Sequence, residues 1–85
     1  MKHYLKNTEN IGYTRYIFID VENIRILDFS TTKSIDWSDN FCDKEDIYNY
    51  FKNLLKKGCI PIERKEFNNA FIEVSKELNE IIKEL

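Results

Sequence analysis

The chain of 85 residues carries 13 Lys and Arg against 15 Asp and Glu, a net charge of -2, with 42% hydrophobic residues, 2 Gly and 1 Pro. That length holds one domain, and so apolar a composition with so little Gly and Pro excludes collagen-like, low-complexity and disordered chains. No apolar run approaches the ~18 residues of a membrane span, and no charged-then-apolar leader opens the chain, so a soluble, cytoplasmic protein is expected. The wealth of Ile, Lys and Asn beside little Arg follows AT-rich coding, a habit of bacterial and phage chains, and carries no function.

Residues 1–12 are polar and mixed, with Tyr4, Leu5 and Ile11 as their main apolar side chains, and read as a loosely held arm. Residues 13–30 hold two β-branched and aromatic runs, Tyr16-Ile17-Phe18-Ile19 and Ile24-Arg25-Ile26-Leu27-Asp28-Phe29, and predict a β-hairpin. A turn at Glu22-Asn23 sets Asp20 against Arg25, Phe18 against Leu27 and Tyr16 against Phe29. Ile19 then faces Ile26, and a slip of one residue destroys this order. Residues 31–42 read as a connection in which Ile35 and Trp37, alternating with polar residues, allow a short third strand.

Asp43 is a suitable N-cap for a helix over 43–57, with Glu45 and Asp46 in its first turn and Gly58 as its stop. Ile47, Tyr50, Phe51, Leu54 and Leu55 give that helix its apolar stripe. Ile60-Pro61-Ile62 must be extended around the proline. A second helix over 63–85 follows from Phe67, Phe71, Val74, Leu78, Ile81 and Leu85, a heptad seam that Ala70 and Ile82 widen. The expected fold class is α+β, a single small domain in which a β-hairpin packs against two antiparallel α-helices.

Chemistry has few footholds. Cys42 and Cys59 bracket the first helix, ~22 Å apart at 1.5 Å per residue, too far for a disulfide. Two free thiols suit a reducing compartment. Cys42 precedes a helix N-terminus, where a thiolate is favoured, so a thiol-dependent enzyme is one alternative. Its base would have to be His3, the one histidine, in an arm expected to fray. The plainer readings are a solvated His3, Cys42 as a small hydrophobe beside Trp37 and Phe41, and Cys59 as packing.

Asp36, Asp39, Asp43, Glu45 and Asp46 cluster, but the EF-hand template fails at Phe41 and Ile47, and capping explains the cluster. No Cys or His spacing suits zinc, and the glycines are isolated, so no metal, cofactor or phosphate loop is expected. Lys52, Lys56, Lys57, Arg64 and Lys65 form a basic turn over 52–65, and a nucleic-acid-binding accessory is the second alternative. The acidic ridge of Glu66, Glu73, Glu77, Glu80 and Glu84 would suit a protein partner with a basic surface.

Both hairpin faces are apolar, more than two helices packed side by side on one face would cover, so self-association or a partner surface is expected. A homodimer would use Leu78, Ile81, Ile82 and Leu85. A partner would meet the aromatic anchors Trp37 and Phe41 within an acidic rim of Asp36, Asp39 and Asp43, aided by Glu73, Glu77 and Glu80, unless Trp37 plugs the core beneath the hairpin, the commoner use of such a ring. The leading expectation is a non-catalytic protein–protein interaction module, a small regulator or inhibitor. Phage and mobile-element proteins that block a host nucleic-acid-handling enzyme have this size and acidity, an analogy and not a motif.

Overall fold

The computed structural model describes residues 1–9, 11–32 and 34–84, without the side chains of Ile81 and Glu84. The first departure from expectation comes at once. Residues Lys2–Asn7 are not an arm but strand β1, followed by β2 (Arg15–Asp20), β3 (Arg25–Ser30) and β4 (Ile35–Ser38). Helix α1 (Lys44–Lys56) leads to the short strand β5 (Ile60–Pro61), and helix α2 (Arg64–Glu84) ends the described chain. The strands form one antiparallel sheet in the order β4-β3-β2-β1-β5, so β1 lies inside it. Alternation explains why so polar a segment belongs there. Leu5 turns one way and is fully buried, while Tyr4 turns the other way onto Phe18.

The hairpin register is the expected one, with Asp20 opposite Arg25, Phe18 opposite Leu27 and Tyr16 opposite Phe29. Its turn is longer than two residues. Val21–Ile24 all lie outside the strands, and Ile24, not Asn23, carries the positive φ, at 52°. Asn23 works instead through its side chain, which donates to Asp20 Oδ2 at 2.7 Å. The connection does form a strand, with Trp37 paired to Leu27 and Ile35 to Phe29.

Asp43 caps α1 by accepting from the Asp46 amide at 2.8 Å. At the other end the Gly58 amide donates to Leu55 and the Cys59 amide to Leu54, at 3.3 and 3.1 Å, with Gly58 at φ 97°. Those two bonds are the Schellman arrangement, and Cys59 and Leu54 share one apolar cluster, as such an ending favours.

The helices divide the sheet between them. Leu5, Ile17, Ile19, Val21 and Ile26 pack against Ile47, Phe51 and Leu54 of α1. Tyr4, Tyr16, Phe18, Leu27 and Phe29 pack against Phe67, Val74 and neighbouring side chains of α2. Because neighbouring strand residues point to opposite faces, the two clusters lie on opposite sides, and the sheet is the middle of three layers. The class is α+β, as expected, but the helices do not share one face. The two-faced hairpin that suggested self-association is thereby covered within a single chain.

Candidate functional site

Trp37 was expected either to plug the core or to anchor a partner, and it stands 61% exposed on the edge strand β4. Its neighbours follow from the sheet register. On the α2 side, Tyr4, Phe18, Leu27 and Trp37 form one row across β1, β2, β3 and β4. Lys2, Asp20 and Arg25 form the next row. Tyr4 and Phe18 stack at 5.2 Å between ring centroids beneath Phe67, which leaves Trp37 as the open end of the aromatic row.

Two hollows flank that indole. One, of about 270 Å³, is lined by Lys2, Tyr4, Phe18, Leu27, Trp37 and, from the first turns of α2, by Arg64, Phe67, Asn68 and Phe71. The other, of about 190 Å³, lies among Arg25, Trp37, Ser38 and Asp39. The Arg25 guanidinium carbon is 5.9 Å from the indole centroid, within cation–π range. Arg25 also donates to Asp20 Oδ2 at 3.2 Å. Burial raises the proton affinity of the Asp20 carboxyl, but hydrogen bonds from Asn23 and Arg25 outweigh it and hold the group below its ordinary pKa. Among the described residues neither Lys2 nor Arg64 joins an ion pair. The rim of the larger hollow is therefore cationic.

The residues expected to form the binding site are not gathered in one place. Asp36 pairs with Asp28 and, by strand alternation, points to the α1 side, away from the Trp37 indole. Phe41 also belongs to the α1 side, 5.3 Å from the Tyr50 ring. Of the proposed acidic rim only Asp39 lies beside Trp37, while Asp43 is committed to its cap. Glu73, Glu77 and Glu80 are exposed along α2, and Glu66 is engaged by Lys6 at 2.7 Å. Leu78 packs into the α2 cluster, and Ile82 is exposed. Leu85 and the Ile81 side chain lie outside the described residues.

Cys42 is exposed, not buried beside Trp37, whereas Cys59 is buried as read. His3 does not fray. Its ring stacks on Phe51 at 4.0 Å, about two helical turns along α1 from Cys42, so the structure does not bring the nucleophile and base together. Burial and the nearby N-terminal ammonium lower the His3 pKa, and its Nε2 is buried without a hydrogen bond among the described residues. Of the basic turn, Arg64 departs to the Trp37 groove, and Lys52 lies 5.1 Å over the Tyr48 ring.

Comparison with protein-family models, curated proteins and solved structures finds no match to this chain. The site thus rests on its own geometry. Sequence reasoning missed Lys2, Tyr4, Phe18 and Arg25 as its walls. The available signal was the alternation of Lys2, Tyr4 and Lys6 with His3 and Leu5, which is strand periodicity hidden in a polar terminus.

Proposed function

We propose that this protein is a non-catalytic binding module that acts by docking a protein partner at Trp37. The supporting observation is the large indole standing exposed between two hollows, while the aromatic side chains in line with it, Tyr4 and Phe18, are half-buried beneath α2. Trp and Arg are the residue types that dominate binding hot spots, and Arg25 lies against the Trp37 ring. Regulation or inhibition by occupying a partner's surface suits such a module, since it requires affinity and no reactive group.

A photo-crosslinking amino acid at position 37, introduced in the cells that encode the protein, tests this reading. A discrete, nuclease-resistant protein adduct is expected from position 37 and not from the exposed position Lys57 on the rim of α1. Identical adduct patterns at both positions, or an adduct that nuclease removes, would refute it.

A further inference from the structure

We infer that the occupant of the groove is an acidic protein segment carrying an apolar anchor, the opposite charge from the basic partner that the composition suggested. This rests on the docking role just proposed and adds the chemistry of the partner.

The groove combines two features. Its floor and end wall are apolar, made by Tyr4, Phe18, Leu27, Phe71 and the open Trp37 ring. Its rim carries Lys2 and Arg64, both exposed and free of ion pairs among the described residues. An unpaired cation at a rim contributes chiefly by steering and selecting partners of opposite charge. Arg25 adds a third cation beside Trp37, though it shares its charge with Asp20, and Asp39 is the acid on that side.

The hollow of about 270 Å³ has room for one large side chain. From Lys2 on β1 to Trp37 on β4 the groove crosses three strand spacings, about 14 Å. Carboxylates either side of a seated apolar residue would then meet Lys2 and Arg64 while that residue lies against Trp37.

A single-stranded nucleic acid fits less well. It asks for a line of cations following several phosphates and for successive open rings, and here one ring is open. The surface that continues from the groove along α2 is of mixed charge, with Lys76, Glu80 and Lys83 around the next hollow, and offers phosphates no unbroken line of cations.

Trp37 is the only tryptophan, so its own emission reports the site. Three probes are titrated at low and high salt: a short synthetic peptide with a central Phe flanked by Glu, the same peptide with Lys in place of Glu, and oligothymidylate. The Glu peptide should shift the emission and bind about tenfold more tightly than the Lys peptide, an advantage that shrinks as salt screens the rim. Arg64→Glu should remove most of this preference, and in that variant the Lys peptide should gain affinity. Lys2 faces Asp20 across the β1–β2 pair, so it is neutralised rather than reversed, and Lys2→Gln should weaken the Glu peptide alone.

Circular dichroism checks that both variants are folded. Equal affinity for the two peptides, no response to the Glu peptide at millimolar concentration, or tighter binding of oligothymidylate would overturn the inference. A protein adduct from position 37 accompanied by charge-indifferent binding would remove the acidic partner and leave the docking role standing. Loss of the adduct would remove the role itself.

Discussion

Phe67 is the side chain that should matter most to the outer layer, because one ring joins α2 to three strands. It touches the rings of Tyr4, Tyr16, Phe18 and Phe29 at centroid distances of 5.3, 6.5, 6.2 and 5.1 Å, and only 4% of it is exposed. Such a side chain removes ~150–250 Å² from water. At ~25 cal/mol per Å² this is worth about 4–6 kcal/mol, of which an alanine retains a part. Phe67→Ala should therefore cost about 3–5 kcal/mol. A domain of this length is stable by about 4–13 kcal/mol in total, so the variant should lose a large share of its stability, and its urea midpoint should fall by the same share. Phe67→Leu keeps most of the volume and should cost about 1–1.5 kcal/mol. Ile72, on the same helix but 60% exposed, supplies the control, and Ile72→Ala should stay within about 0.5 kcal/mol of the parent. Urea titration followed by far-UV circular dichroism measures all three, read as a shift of midpoint at constant slope. A Phe67→Ala penalty below about 1 kcal/mol, or one no larger than that of Ile72→Ala, would refute the packing of α2 on this face.

Three further outcomes are expected. The His3 pKa is lowered in the fold, so the unfolded chain binds the proton first, and stability that is complete above pH ~6.5 should decline as pH falls below that value. Urea midpoints at neutral and mildly acidic pH should differ in the parent and much less in His3→Phe; an equal difference in both would assign the effect elsewhere. Gly58→Ala puts a side chain at φ 97°, with its Cβ 2.6 Å from a movable Glu9 carboxylate oxygen, and should cost about 1 kcal/mol in a thermal melt, mainly through the backbone. A thiol reagent should label Cys42 rapidly and Cys59 only on unfolding, and labelling of both at one rate would contradict the burial of Cys59.

The amino-acid sequence alone determined the features in which neighbours along the chain decide the outcome. The hairpin register was legible because a slip of one residue would turn apolar and polar faces over, so Asp20–Arg25 and Phe18–Leu27 admit one alignment. The limits of α1 were legible because Asp43 and Gly58 meet needs of a helix end that are local. Tertiary structure decided the rest. β1 has too few apolar side chains to announce itself, and it is a strand because β2 and β5 flank it and bury Leu5. The placing of the helices on opposite faces depends on the path of the chain: α1 runs from one edge strand, β4, to the other, β5, and α2 returns across the uncovered side. That path also chose the groove. Trp37 and Asp36 are adjacent in sequence, yet strand alternation sends them to opposite sides, while Lys2 and Arg64, from distant parts of the chain, arrive beside the indole. Charge counted along the chain pointed to an acidic site, and only the three-dimensional juxtaposition makes the rim at Trp37 cationic.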